Sequence, residues 1–345
     1  MDWSKNLVRE EINFADSVKE SGRQLSYVEA IREALDLAMY NDERVFVMGQ
    51  GADDPAGMLG TTTNLQQKYG GDRIFDTPLS ENGLTGIAVG AALIGMRPVY
   101  MHNRPDFLLL AMDQIVNHAA KWRYMFGGKV SVPLVIWACV GRGWGGGAQH
   151  TQSLQGLFMH IPGLRLVMPT RPYDTKGLLL SAIAEPNPVI IIEHRWLFNQ
   201  TGYVPEGLYT IPLGRGVVRK PGKDVTVVAI SHMVVESLYA AQKLQGEGID
   251  VEVIDPRTLK PLDEELILKS LQKTGRLVIA DTGWKTGGAG AEIAASITEK
   301  GFHYLKAPVQ RVASLDIPTP AGYNLEAEFY PNKSHVIHAC KRLLP

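Results

Sequence analysis

Two side chains of the sequence have the type and the position that acid–base chemistry requires. Glu81 follows a predicted strand and lies in the first turn of a predicted helix, at the strand end where open α/β sheets bind their ligands. His150 follows a buried strand and a run of glycines, and imidazole titrates close to neutral pH. Each has an ordinary alternative, because an acid in a first helical turn stabilises the helix dipole and most single histidines are not catalytic. The residues alone therefore identify two candidate site residues but no reaction.

Two glycine-rich segments raise the question of phosphate binding. Residues 141–146 read GRGWGG and match the GxGxxG pattern of dinucleotide-binding folds. The next strand ends without the acid that would bind a ribose, so a flexible loop lining a site is favoured over a dinucleotide, and a plain surface loop stays open. Residues 287–292 (GGAGAE) could bind an anion at a helix start, but a close-packed turn is the better interpretation.

The elements that carry these residues alternate between strands and helices, which predicts parallel α/β sheets. We predict an N-terminal arm at 1–24, a first domain at 25–200, a linker at 201–222 and a second domain at 223–345.

Several elements of the first domain are predicted individually. Ser26 and Glu29 form a capping box that starts a helix. Residues 73–81 predict a strand running into a helix start, residues 83–96 a helix packed tightly inside the domain because they are small and apolar, and residues 107–124 a single helix.

Composition excludes several classes of function. Hydrophobic residues make up 45% of the 345 residues, and the net charge is -1 without any block of like charge, which argues against a nucleic-acid groove or a polybasic membrane surface. Two distant cysteines form no disulfide framework or zinc motif. No apolar run has the length of a membrane span and the N-terminus lacks a signal-like core, so we expect a cytoplasmic protein.

A set of motifs, in consistent order and spacing, resembles the beta subunits of thiamin-diphosphate-dependent 2-oxo acid dehydrogenases. The similarity runs from about residue 25 to the C-terminus. The segments that carry it are 76–92 (DTPLSENGLTGIAVGAA), 111–117 (AMDQIVN), 148–152 (AQHTQ), 253–262 (VIDPRTLKPL), 275–281 (GRLVIAD) and 287–292 (GGAGAE).

The resemblance implies a transketolase-like pyrimidine-binding domain followed by a transketolase C-terminal domain. It also implies that thiamin diphosphate is shared with an alpha subunit in an α2β2 heterotetramer, and that the alpha chain holds Mg2+ and the diphosphate through a GDG motif. This sequence contains no GDG, so we expect that it cannot assemble the cofactor site alone.

Carried over by position, the resemblance assigns roles to individual residues. Glu81 matches the glutamate that hydrogen-bonds the pyrimidine ring, and Phe107 the aromatic residue that packs on it, with Leu79 as part of the apolar surround. His150 matches the histidine that handles the substrate carboxylate and proton transfers. A K+ site of the family, built from backbone carbonyls, would fall on Leu134, Ala182, Glu185 and Asn187.

The sequence departs from the family where it reads His102, Asn103 and Arg104. Relatives are usually apolar here, and Asn103 takes a place next to the cofactor ring. Buried polar groups need partners, so we hypothesise a more polar or anionic substrate, with Arg104 contacting a carboxylate or phosphate and His102 and Gln149 as further substrate contacts.

The leading interpretation is a beta subunit that decarboxylates a 2-oxo acid with its alpha subunit and passes the acyl group to a lipoyl carrier, within a larger complex built on a lipoyl acyltransferase core. The alternative is a split transketolase-like or acyl-transferring enzyme of a specialised pathway, without lipoyl chemistry. A binding subunit that has lost catalysis is disfavoured by Glu81, Phe107 and His150, and an NAD dehydrogenase by the missing acid.

Overall fold

A computed structural model describes residues 22–54, 56–141 and 145–345 of the chain. Most of the predicted N-terminal arm (1–21) and the centre of the glycine run (142–144) lie outside the described residues. The strands are β1 (Gln24–Ser26), β2 (Val45–Gly49), β3 (Ile74–Phe75), β4 (Arg97–His102), β5 (Val135–Val140), β6 (Arg165–Val167), β7 (Val189–His194), β8 (Thr201–Tyr203), β9 (Val217–Lys220), β10 (Val225–Ala229), β11 (Val251–Asp255), β12 (Thr258–Lys260), β13 (Leu277–Trp284) and β14 (Gln310–Ser314).

Helices connect these strands, and within the described ranges none is long and apolar enough to cross a membrane. The predicted capping box is confirmed at the first of them, where Ser26 and Glu29 bond each other's backbone N–H. The helices are α1 (Tyr27–Asn41), α2 (Gly57–Gly60), α3 (Leu65–Tyr69), α4 (Glu81–Leu93), α5 (Pro105–Leu108), α6 (Trp122–Met125), α7 (Gln155–His160), α8 (Pro172–Ala184), α9 (His232–Gln245), α10 (Glu264–Thr274), α11 (Ala289–Gly301), α12 (Tyr323–Phe329) and α13 (Lys333–Lys341).

The two larger sheets are mostly parallel, which confirms the predicted α/β class. The first has the order β12-β6-β7-β5-β4-β2-β3 and the second β14-β13-β10-β11-β9. Central strands such as β5 are buried at every residue, as expected where helices cover both faces of a sheet. Each sheet also has one antiparallel edge strand, β12 against β6 and β9 against β11, which the prediction of purely parallel sheets missed.

The predicted domain boundaries are only partly matched by the sheets. The predicted linker, 201–222, contains β8, which pairs with β1, and β9, which belongs to the second sheet. Strand β12 lies in the second half of the sequence but pairs with β6 of the first sheet. Short edge strands of three or four residues have little hydrophobic period, so the sequence gives no signal for their pairing.

Buried charges also join the two domains. Arg219 on β9 pairs with Asp255 on β11 at 2.7 Å and with Asp174 on α8 of the first domain. All three residues are almost fully buried. A buried ion pair adds little net stability, but losing one partner is costly. The network therefore fixes the two domains against each other.

Three predicted elements differ from the structure. The strand expected at 73–81 is only Ile74–Phe75. Helix α4 is not enclosed, because Ile87 on the helix and Ile94 directly after it are 62% and 83% exposed. The helix expected at 107–124 is broken into α5, a 3-10 turn, a π-helix at Asp113–Ala119 and α6. Composition shows that a segment is apolar, but does not show whether its apolar face meets the core or the surface.

Candidate active site

The carboxyl ends of neighbouring parallel strands form the edge at which the candidate residues lie. After β2, Gly51 N–H donates to the Asp76 carboxylate at 2.8 Å. After β4, Asn103 Nδ2 donates to the Gln50 carbonyl at 3.2 Å. Helix α4 then begins at Glu81. This is the edge where open α/β sheets bind ligands.

Glu81 is half-buried in the first turn of α4 and is held through its backbone. Thr85 Oγ1 donates to the Glu81 carbonyl at 2.6 Å and lies 3.5 Å from His102 Nε2. Burial, and then the negative charge of Glu81, raise the pKa of Tyr100 to about 12. Glu81, Thr85, Tyr100 and His102 therefore form one cluster between α4 and β4.

His150 and Phe107 are brought together by the fold. Their rings meet edge-on with centroids 5.2 Å apart. The His150 side chain is exposed and Phe107 is half-buried. The two segments are fastened side by side, because the Asp106 carboxylate accepts from Gln152 N at 3.2 Å and from Gln152 Nε2 at 2.8 Å.

His102 lies beneath this surface rather than on it. It is 2% exposed and its ring lies 4.0 Å from that of Tyr100. Burial lowers the pKa of His102 to about 3, so the imidazole is neutral. This position suits a support for Thr85 and α4 better than the predicted substrate contact.

Arg104 turns towards the end of β5. Its Nη1 donates to the Cys139 carbonyl at 3.4 Å. Nearby, burial and then the charge of Arg104 lower the pKa of Arg195 to about 10. Two guanidinium groups therefore lie close together behind the site, and an anion would relieve their repulsion.

The described residues on either side of 142–144 do not have the arrangement of a dinucleotide motif. Gly141, Gly145 and Gly147 have positive φ, a conformation that favours glycine. The run leads into a single 3-10 turn that contains Gln149, which is exposed, and the next helix, α7, begins only at Gln155. A dinucleotide motif opens directly into its helix. Gly288 is close-packed as predicted, because a Cβ there would lie 2.2 Å from the Trp284 carbonyl oxygen, whereas a Cβ on Gly287 would meet no atom within 4 Å.

The remaining predicted residues lie at the rim or away from it. Leu79 is 78% exposed. The carbonyls assigned to K+ lie near one turn, where Val189 N–H donates to the Leu134 carbonyl at 2.9 Å and Glu185 N–H to the Ala182 carbonyl at 3.3 Å. Asn187 Nδ2 donates to the Glu185 carboxylate at 2.5 Å. The K+ site stays a prediction.

Sequence reasoning missed the buried acids near the site. Burial raises the pKa of Glu193 to about 8 and that of Asp281 to about 6. Asp281 accepts from Gln155 Nε2 at 2.6 Å. Both acids directly follow a run of apolar residues, at 189–192 and 277–280, and an acid after such a run was the available signal. Among the described residues, no group of three or more His, Cys, Asp or Glu side chains could hold a metal ion.

The same order of two α/β domains is found in the comparisons with known protein families. Two family models match in this order, "Transketolase, pyrimidine binding domain" at residues 23–200 and "Transketolase, C-terminal domain" at residues 214–336. A solved split-gene transketolase, described as an inactive beta4 tetramer, superposes with a TM-score of 0.75 at 26% identity, covering 93% of this chain and 98% of the other.

Curated relatives extend the similarity over nearly the whole chain. The beta subunit of acetoin:2,6-dichlorophenolindophenol oxidoreductase from Bacillus subtilis is 43% identical over 334 residues, 93% of this chain and 98% of the relative. The beta subunit of the pyruvate dehydrogenase E1 component from Rickettsia felis is 41% identical over 320 residues, with the same coverage. The chain belongs to the transketolase-like family that contains these beta subunits. The family and fold predicted from the sequence are thereby confirmed.

Proposed function

We propose that this chain is the beta subunit of a two-chain enzyme that uses thiamin diphosphate to decarboxylate a 2-oxo acid and passes the acyl group to a lipoyl carrier. The observation that carries the proposal is the position of Glu81 on the sheet edge that also bears the Phe107–His150 pair. A carboxyl beside an aromatic ring fits an aminopyrimidine, which needs a hydrogen-bond partner in its plane and an apolar contact on its face.

Each residue then has a defined task. Thiamin diphosphate would supply the carbanion chemistry that breaks the bond next to the substrate carbonyl. The Glu81 carboxyl would hold the pyrimidine ring nitrogen and share a proton with it, Phe107 and Leu79 would cover the ring and exclude water, and Asn103 would lie beside it. His150 orients the substrate carboxylate and transfers a proton through its imidazole.

The alpha subunit completes the site in this proposal. Its GDG motif would hold the diphosphate and Mg2+, and its surface would cover the exposed apolar side chains of Leu79 and Ile87, which are 78% and 62% exposed in this chain. Apolar side chains at such exposure, next to a candidate site, are typical of an interface.

The test is proton exchange at the reactive carbon of thiamin diphosphate, measured by NMR on this chain reconstituted with a GDG-bearing alpha subunit. Glu81→Gln should abolish the rapid exchange while size-exclusion chromatography shows an intact complex. Asp76→Asn, also at the sheet edge, is the matched control and should retain exchange. Exchange at the wild-type rate in Glu81→Gln contradicts the proposed role. Tight cofactor binding by the isolated chain contradicts the shared site.

A second candidate is an enzyme that cleaves a small hydroxyketone in a specialised pathway. It is favoured by the acetoin-oxidising relatives and by the uncharged polar residue Asn103 near the site. Comparing pyruvate, longer 2-oxo acids and acetoin on the reconstituted enzyme separates the two. Arg104→Ala should raise KM for the anionic 2-oxo acids and leave KM for uncharged acetoin unchanged. An unchanged KM for the 2-oxo acids contradicts a carboxylate contact by Arg104.

A further inference from the structure

The segment that follows His150 in the sequence belongs to the first domain and contacts the second. We call residues 151–156 the strap. Three hydrogen bonds join it to the C-terminal half of the chain: Tyr330 Oη donates to the Thr151 carbonyl at 3.3 Å, Ser153 Oγ to Thr282 Oγ1 at 3.2 Å, and Gln155 Nε2 to Asp281 Oδ1 at 2.6 Å.

The strap is packed as well as hydrogen-bonded. Thr151, Gln155 and Asp281 are at most 2% exposed, and hydrogen bonds that are shielded from water are stronger and more costly to lose. At the end of the strap, a Cβ on Gly156 would lie 3.1 Å from the Gly287 carbonyl oxygen. The strap therefore cannot shift without breaking contacts to the second domain.

The other end of the strap reaches the site. Thr151 Oγ1 donates to the Gly147 carbonyl at 2.5 Å, and Gln152 is bonded to Asp106, the neighbour of Phe107. The His150 side chain itself is exposed. Since an exposed imidazole is not held by a surrounding core, the backbone on its C-terminal side must set where it lies against Phe107.

We propose that Tyr330, Gln155 and Asp281 are positioning residues for His150, through which the second domain fixes the imidazole in the first. The proposal rests on the role given to His150 in the proposed function. It does not make these residues contact substrate. It predicts that loosening the strap alters where the His150 ring lies while the fold stays intact.

The direct test is the NMR signal of the His150 ring in the isolated, histidine-labelled chain. The Phe107 ring current shifts this signal, and Phe107→Leu defines its value without the aromatic contact. Tyr330→Phe removes the hydroxyl that donates to the Thr151 carbonyl of the strap and should move the signal towards that value. Tyr209→Phe is the matched control, because it removes a hydroxyl that donates to the Tyr173 carbonyl at 2.8 Å outside the strap.

Exchanging donor and acceptor within the Gln155–Asp281 pair provides a second test, in which a double variant should rescue the single one. Gln155→Glu places two carboxyl groups against each other in a buried site, where both cannot ionise, and should displace the His150 signal at neutral pH. Adding Asp281→Asn restores one donor and one acceptor with the roles exchanged, and should return the signal towards that of the wild type. In the reconstituted enzyme, Gln155→Glu should lower kcat by about tenfold or more with little change in KM, and the double variant should recover.

Each outcome decides the proposal. If Tyr330→Phe and Gln155→Glu leave the His150 signal unchanged, or if the double variant fails to rescue it, the second domain does not position His150. The NMR measurement needs no activity, so it stands if the reconstituted enzyme turns over none of the substrates tried. If the His150 signal moves while kcat is unchanged, the strap does position His150, but the role of His150 in the proposed function is contradicted.

Discussion

Glu193 is a single residue whose burial should be visible in the stability of the whole chain. It lies on β7, is 1% exposed, and accepts from Thr175 Oγ1 at 2.9 Å. Burial raises its pKa from an ordinary 4.5 to about 8, although the hydrogen bond from Thr175 opposes the shift. Between these two values the folded chain holds a proton that the unfolded chain has lost.

The free energy of unfolding should therefore fall as pH rises from about 5 to about 8, with Glu193 contributing up to about 1.4 kcal/mol per pH unit. Glu193→Gln cannot ionise and should remove this part of the slope. Thr175→Val, which deletes a hydrogen bond but keeps the carboxyl, should lower stability and retain the slope. Urea unfolding at several pH values measures all three. Equal slopes for the wild type and Glu193→Gln would show that Glu193 is ionised in the folded chain.

At the scale of elements, the glycine run before His150 is constrained by the second domain. Gly147 has φ of 60°, and a Cβ there would lie 3.2 Å from the Ala321 Cβ. Gly147→Ala should destabilise the fold by about 1–2 kcal/mol, the cost of a left-handed conformation, and should also lower kcat by displacing His150.

Gly207→Ala is the matched control, because Gly207 has φ of 74° with no atom within 4 Å. The Gly207→Ala variant should lose a similar amount of stability and keep its full activity. Urea unfolding and steady-state kinetics check both, and equal losses of activity would refute the role of the Ala321 contact.

The elements also show where sequence reasoning stops. Capping, alternation and buried strands follow from local chemistry, so α1 and the central strands of both sheets were predictable. Glu81 and His150 were singled out as candidates because each follows a strand end, and their roles stay predictions. The Gln155–Asp281 pair joins residues 126 positions apart, and neither residue has a neighbour in sequence that indicates the other. The broken helix after Phe107 was missed for a related reason: backbone hydrogen bonds such as Ala120 N–H to the Ile115 carbonyl at 3.0 Å leave no mark on the apolar period.

At the scale of the whole molecule, we expect the alpha subunit to dock on the exposed apolar face of α4. Ile87 on α4 and Ile94, the residue that directly follows α4, are 62% and 83% exposed, and exposed Leu110 lies on the segment packed beside α4. If the alpha subunit covers this face, each isoleucine contributes about 1.5–3 kcal/mol when buried.

The double variant Ile87→Lys/Ile94→Lys should thus weaken the complex with the alpha subunit by about a hundredfold or more, with circular dichroism of the isolated chain unchanged. Phe302→Lys, at a side chain 72% exposed on the second domain, is the matched control and should assemble normally. Analytical ultracentrifugation of the mixed subunits measures both. Wild-type affinity in the double variant would mean that the alpha subunit docks elsewhere, because two buried ammonium groups without partners cannot be accommodated in an apolar interface.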